Sequence, residues 1–375
     1  MFMKESRTVL ERYATGLDAE LAERGLMAAE AMPSAELKKL ITRYRLPGLW
    51  VPAEYGGTDI SPYDIVRVQR ALGARCPSLA LMLTMHNFTV GFCRPLAPLV
   101  PSLSAMMRAV ATDHLIVASA FAEGRRGAGI LDSTVFMTPA SDGYLINGRK
   151  KPCTLANTAD IVTVGVALEM PDGTKRTGMA VVPGHAEGLK RHAFWQIPLL
   201  AAADNQELEF ANVKVSADQV LIASEDDADA LSVIAAAEVT GVAWFEIVAS
   251  ASYLGVASAL AQRVLLDDRV DAVERARLGT EIEFAQAALD GAVYLMQTCE
   301  PAQSLLSRVL MVRYGVQQII ERCAMHAAEL GGGLAFIRDT EASALLAMTR
   351  CLAFHPISRK AAEPMLVDWL AGRIA

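Results

Sequence analysis

Asp160-Ile161-Val162-Thr163-Val164-Gly165-Val166-Ala167-Leu168 is a β-branched run that Pro171-Asp172-Gly173 turns back into Thr177-Gly178-Met179-Ala180-Val181-Val182-Pro183. Two such runs around a Pro/Asp/Gly turn read as a β-hairpin. The strand period extends outward from it. Gly143-Tyr144-Leu145-Ile146-Asn147-Gly148 is a strand bounded by turn residues, and Glu207-Leu208-Glu209-Phe210 and Val213-Lys214-Val215 supply more edge-like strands.

Beyond this middle the period is helical on both sides. Upstream, Leu10, Tyr13, Leu17, Leu21 and Leu26 approximate a helical stripe. Ser34 is placed to cap a helix over Ala35–Tyr44, Ser61-Pro62 opens another, and a buried helix is expected over Leu79–Phe92. Downstream, Leu231–Leu266, Val273–Gln297 and Pro301–Gly331 are long helical segments. This layout predicts an α+β fold, mostly α. Its parts are an N-terminal α-helical domain (1–115), a middle β-barrel-like domain (116–220) and a C-terminal four-helix bundle (221–375). The alternation of a doubly wound dinucleotide-binding domain is missing.

The chain has 375 residues, 53% of them hydrophobic, with a mean hydropathy of +0.28. That much apolar surface is expected to fill a large helical core and subunit interfaces, since no apolar run reads as long enough to span a bilayer. A formal charge of −7 without a basic stripe excludes a nucleic-acid binder. Arg149, Lys150 and Lys151 read as a solvated basic loop. Six cysteines without a CxxC pair fit reduced thiols rather than a disulfide frame or a metal site. The start, MFMKESRTVLERY, lacks the apolar region of a secretory signal, and a cytoplasmic location is expected.

Several motifs in order carry a resemblance. Leu46-Pro47-Gly48-Leu49-Trp50-Val51-Pro52-Ala53-Glu54-Tyr55-Gly56-Gly57 is a glycine-closed turn. Phe121-Ala122-Glu123-Gly124-Arg125-Arg126-Gly127-Ala128-Gly129 follows, then Asn147-Gly148-Arg149-Lys150 and Pro152-Cys153-Thr154, and finally Gly331-Gly332-Gly333. In order and spacing these resemble the acyl-CoA dehydrogenase family. The resemblance implies FAD, with the isoalloxazine between the β domain and the second helical bundle and flanked by the Phe121-Ala122 backbone and Thr154. A reduced flavin holds negative charge, which N–H groups and hydroxyls stabilise. Gly331, Gly332 and Gly333 would let a neighbouring subunit's cofactor approach, and the same glycines also fit a helix C-cap. The family's pyrophosphate-pairing arginine has no counterpart, so Arg263 or Arg269 substitutes or FAD is held differently. Glu123 serves the site or bridges elements, and Thr154 read alone is a turn hydroxyl.

The family's catalytic glutamate falls on His355 in Phe354-His355-Pro356-Ile357. His355 reads first as a structural corner and second as a neutral base. Some relatives carry the base on the first long C-terminal helix, where Phe245 takes that position and Glu246 follows one residue later. Glu246, alone among Val242, Trp244, Phe245, Ile247 and Val248, is costly to bury unpaired, and an apolar setting would raise its pKa. It is the leading base candidate, with a salt bridge to another helix as the competing role. Ala243 and Glu246 stand where the family's CoA-holding Asp and Arg would be, which points to a substrate on a carrier protein.

The function so implied is flavin-dependent α,β-dehydrogenation of a short acyl thioester, bound to CoA or to an acyl or peptidyl carrier protein. One alternative is a flavin monooxygenase or oxidase on the same scaffold, which needs no carboxylate base. Another is an inactive partner subunit. The electron acceptor is open, no nucleic acid or membrane partner is expected, and the resemblance implies a homodimer or homotetramer.

Overall fold

The computed structural model describes residues 2–123, 133–170, 175–222, 228–298 and 302–373. Gly124–Gly129, the Pro171-Asp172-Gly173 turn, Cys299 and Pro301 lie outside the described residues. Helices α1 (Lys4–Tyr13), α2 (Leu17–Arg24), α3 (Leu26–Glu30), α4 (Ser34–Arg43), α5 (Pro62–Gly73), α6 (Pro77–Cys93) and α7 (Pro101–Thr112) come first. Strands β1 (Val117–Ala120), β2 (Phe136–Ala140), β3 (Gly143–Cys153), β4 (Ile161–Glu169), β5 (Lys175–Pro183), β6 (Leu189–His192), β7 (Gln206–Val215) and β8 (Val220–Ile222) follow. Helices α8 (Ala228–Leu265), α9 (Ala272–Thr298), α10 (Ala302–Gly331), α11 (Gly333–Arg338), α12 (Thr340–Thr349) and α13 (Arg359–Leu370) complete the chain. The α+β, mainly helical class expected from the sequence is the class observed.

Contacts group these elements into two compact units. One unit comprises Met1–Met32, Ile60–Thr84 and Val242–Ala375; the other comprises Pro33–Asp59 and Met85–Gly241. The second unit holds the sheet, whose strands run β6-β7-β3-β2-β4-β5-β8, with β1 also paired to β4. The predicted hairpin is β4 and β5, antiparallel from Ile161↔Pro183 to Glu169↔Lys175. β4 is buried on both faces from Val162 to Ala167, which accounts for its unbroken apolar run. β7 corrects the expectation of edge-like strands: it is one strand lying between β6 and β3. In the same unit the glycine-closed turn is sterically required. Gly56 has φ +88°, and a Cβ on Gly57 would lie 2.0 Å from the Val51 carbonyl oxygen.

In the helical unit the predicted N-terminal stripe is buried at Leu10, Leu17, Leu21 and Leu26. It is divided among α1, α2 and α3 by Gly16 at φ 87° and Gly25 at φ 82°. Ser61 caps α5 as expected, its Oγ accepting from the Asp64 N–H at 3.1 Å, with Pro62 as the first helical residue. Ser34 does not cap α4, because the helix already includes it and Pro33 is the cap residue.

The expectation that no stretch is long and apolar enough for a bilayer does not hold for α8. Ser232–Leu265 passes that test by length and composition, with a mean hydropathy of 1.5. Half of it is buried within the chain, including Ile247, Val248, Leu254 and Leu260. Its apolarity therefore belongs to a core helix.

Candidate active site

In the sheet-containing unit, strand alternation turns Lys150 inward while Arg149 and Lys151 face the other way. The three are thus part of β3 rather than a solvated loop. Arg149 and Lys151 pair with Glu207 at 2.9 and 2.8 Å. Lys150 is 1% exposed, and its Nζ donates to Glu123 Oε1 at 2.6 Å and to Ser133 Oγ at 3.0 Å. Glu123 also accepts from the Thr134 N–H and hydroxyl, at 2.5 and 2.8 Å. Burial raises its pKa, but Lys150 and Thr134 outweigh it and hold the carboxyl down at about 2. Glu123 is therefore a bridge that anchors the Phe121–Glu123 segment to β3.

That segment and Thr154 are the residues the sequence offered to a flavin ring. The Lys151 N–H donates to the Ala122 carbonyl at 2.9 Å. The Ala122 N–H has no acceptor among the described residues. Phe121 packs on Gly165, where a Cβ would approach the ring to 2.9 Å. Buried Thr154 donates its hydroxyl to Asn205 Oδ1 at 2.7 Å, and Asn205 Nδ2 in turn donates to the Leu200 carbonyl at 3.1 Å. The proton of Thr154 is committed, so its oxygen remains as an acceptor. An unspent N–H and a fixed hydroxyl acceptor suit the edge of an isoalloxazine, which carries both kinds of group.

Gly331 ends α10, Gly332 takes φ +79° between helices, and a Cβ on any of the three glycines would meet nothing within 4 Å. They leave open space as well as ending a helix. The two candidate pyrophosphate arginines are engaged within the chain. Arg263 pairs with Asp339 at 2.6 Å and Arg269 with Asp267 at 2.7 Å.

The second candidate cluster lies in the helical unit. Glu246 on α8 is fully buried. Its Oε2 accepts from Arg313 Nε on α10 at 2.9 Å and its Oε1 from the Ile357 N–H at 2.8 Å. Arg313 Nη2 donates to the Leu352 carbonyl at 2.6 Å, and the Tyr314 hydroxyl donates to the Ile357 carbonyl at 2.9 Å. The segment after α12 is thereby pinned at both ends. Burial raises the Glu246 pKa to about 7 against the pull of Arg313 and of the Ile357 N–H. Within that segment His355 is half-buried, with its Nε2 2.9 Å from the Tyr253 hydroxyl and its ring edge-on to Phe245. Burial and then the charge of Arg313 lower the His355 pKa to about 4. The structure thus sets Glu246 of α8 and His355 of the pinned segment against the same turn of chain, with each already hydrogen-bonded.

Sequence reasoning did not single out Arg313, Tyr253 or Asn205. Arg313 carried a weaker signal than Glu246, since Arg308 and Arg313 together bound the apolar run Val309-Leu310-Met311-Val312. Asn205 had no signal, because only the left-handed turn at Asp204 aims it at Thr154. No metal-holding group of His, Cys, Asp and Glu occurs among the described residues.

No family model matches the chain. Isobutylamine N-hydroxylase of Streptomyces viridifaciens is 34% identical over 371 residues, 98% of this chain and 97% of that protein. Among solved structures, KijD3 in complex with FMN and dTDP-3-amino-2,3,6-trideoxy-4-keto-3-methyl-D-glucose superposes with a TM-score of 0.82 at 18% identity, covering 99% of this chain and 95% of that one. Butyryl-CoA dehydrogenase from Megasphaera elsdenii superposes with a TM-score of 0.79 at 16% identity, covering 99% and 97%. The fold is thus that of an acyl-CoA dehydrogenase, and the chain belongs to this flavoprotein family as a divergent member grouped with isobutylamine N-hydroxylase.

Proposed function

We propose that the chain is a flavin-dependent monooxygenase that hydroxylates the nitrogen of a small aliphatic primary amine. The observation that carries this reading is the identity with isobutylamine N-hydroxylase along nearly the whole of both chains. The balance is RNH2 + O2 + reduced flavin → RNHOH + H2O + oxidised flavin. When bound, the reduced flavin supplies the two electrons that let one oxygen atom go to nitrogen and the other leave as water. The chain's own part is to hold the ring edge with Ala122 N–H and Thr154 and to keep the Phe121–Glu123 segment fixed through Lys150.

The site chemistry supports the same choice over thioester dehydrogenation. α-Proton removal needs a free base, whereas Glu246 already receives Arg313 and a backbone N–H, and His355 is bonded to Tyr253. N-oxygenation needs no carboxylate base. Because Arg263 and Arg269 are engaged within the chain, we assign the grip to the isoalloxazine end, so that FMN suffices in place of the FAD expected from the family. Exposed Leu334, Ile337 and Phe354 support homo-oligomer formation, and the free thiols support a cytoplasmic setting.

The test supplies FMN, NADH and a flavin reductase in air with isobutylamine, and follows hydroxylamine by mass spectrometry under 18O2. One labelled oxygen in the hydroxylamine is expected. Flavin bleaching by an acyl thioester without oxygen, with no hydroxylamine in air, overturns the reading. A tenfold tighter affinity for FAD than for FMN overturns the cofactor assignment.

A further inference from the structure

Strands β3 and β7 end their pairing at Cys153↔Gln206, and the next residue on each side is Thr154 and Asn205. Antiparallel register sets these two opposite one another, both buried and both in the sheet-containing unit. The backbone there is laced together. The Leu155 N–H donates to the Ala203 carbonyl and the Ala156 N–H to the Asp204 carbonyl, each at 3.1 Å. The Asp204 carboxylate accepts from the Asn157 N–H and from its side-chain amide, both at 2.6 Å. The Thr154 hydroxyl and the Asn205 amide are therefore held in place by the chain itself.

The polarity of the bond between them is fixed as well. The Leu200 carbonyl can only accept, so the Asn205 group 3.1 Å from it is the NH2. That turns Oδ1, which has no hydrogen, toward Thr154 Oγ1 at 2.7 Å. The proton between the two oxygens can come only from Thr154. With its single hydrogen spent on Asn205, the hydroxyl offers a further neighbour nothing but lone pairs.

An isoalloxazine reverses its polarity at N5 on reduction. Oxidised, N5 is an acceptor; two electrons and a proton make it an N–H donor. A hydroxyl free to rotate serves either form. One that can only accept serves the reduced ring and sets lone pair against lone pair in the oxidised one. We propose that Asn205 is a positioning residue which, by holding the Thr154 proton, makes the flavin seat bind the reduced ring in preference to the oxidised ring. The proposal rests on the seat at Ala122 and Thr154 and not on the amine substrate. A site shifts the redox equilibrium of the ring only by the ratio of its two affinities.

The test titrates the flavin-free protein with oxidised FMN and, anaerobically, with FMN reduced by dithionite, and reads the ratio of the two dissociation constants. The ring is common to FMN and FAD, so the same ratio is read with FAD where FAD binds more tightly. The wild-type protein is expected to bind the reduced form at least tenfold more tightly, which for a two-electron couple raises the midpoint potential by about 30 mV. Asn205→Leu returns the proton to Thr154 and is expected to lower the ratio at least fivefold. Thr154→Val leaves Asn205 in place and is expected to lower it as much, which keeps the measurement decisive where Asn205→Leu does not fold. Thr154→Ser retains the hydroxyl and is expected to retain the ratio. Because a single bond is involved, the double variant should fall no further than either single one.

Equal affinities for the two forms in the wild type overturn the proposal. So does a loss shared equally by both forms in Asn205→Leu, which assigns Asn205 to holding the Leu200 turn alone. Unchanged affinity for both forms in Thr154→Val overturns the flavin seat and the proposal with it. A wild-type protein that makes no hydroxylamine from any primary amine overturns the proposed function, and the affinity ratio decides the role of Asn205 independently.

Discussion

Glu246 shows why a residue's chemistry depends on its partner. A lone carboxyl in an apolar helix is read equally well as a base or as half of an ion pair. The partner, Arg313, lies 67 residues away. Removing one member leaves the other charge buried, so Glu246→Leu should destabilise the chain by about 3–5 kcal/mol in urea unfolding. The double variant Glu246→Leu/Arg313→Leu should recover most of that loss; if it is no more stable than the single variant, pairing is not the reason. His355 yields a pH prediction. Its folded pKa of about 4 lies below the ordinary value of 6.5, so the unfolded chain binds the extra proton first as pH falls. Stability from His355 is intact above pH 6.5 and lost between about 6.5 and 4. The destabilisation caused by His355→Asn should therefore shrink across that window. A gap independent of pH would contradict the neutral, half-buried imidazole. The position of His355 was legible from its distance to the glycines, but its partner was not, because Tyr253 lies 102 residues away.

At the element scale, α5 and α8 meet through glycines on both sides. A Cβ on Gly255 would lie 2.3 Å from the Arg70 carbonyl oxygen, and one on Gly73 would lie 2.1 Å from that of Ser252. Backbone cannot yield as a side-chain tip can, so Gly255→Ala should cost about 1–3 kcal/mol by overpacking, read as a shift in urea midpoint. A neutral substitution would show that the two helices do not pack so closely in solution. Gly255 stood in the sequence only as a landmark on an apolar helix, and nothing local marked it as a crossing point. The sheet shows the opposite balance. β4 and β5 were legible from β-branched runs and a turn, because their pairing is local. β7 was misread as two edge pieces because its place between β6 and β3 rests on pairing with residues far away in sequence. Lys150 was misread for a related reason. Strand alternation turns it inward, and the remote carboxylate of Glu123 makes the inward position tolerable.

For the whole molecule, hydropathy and placement of α8 part company. By length and composition Ser232–Leu265 qualifies as a membrane span, yet Glu246 within it is neutralised by Arg313 of the same chain. The chain should therefore stay at the bottom of a flotation gradient with neutral lipid vesicles. Co-flotation in the absence of detergent would mean that α8 leaves its core. By itself, the sequence determined the helix–strand–helix order, the hairpin, the turn at Gly56-Gly57 and the family. Each of these depends on local periodicity, on backbone geometry or on motif order. Only the tertiary structure decided that Glu246 is half of an ion pair, that Lys150 is buried against Glu123, and that His355 meets Tyr253. These are desolvated contacts between residues remote in sequence, whose energies depend on the partner and on the exclusion of water.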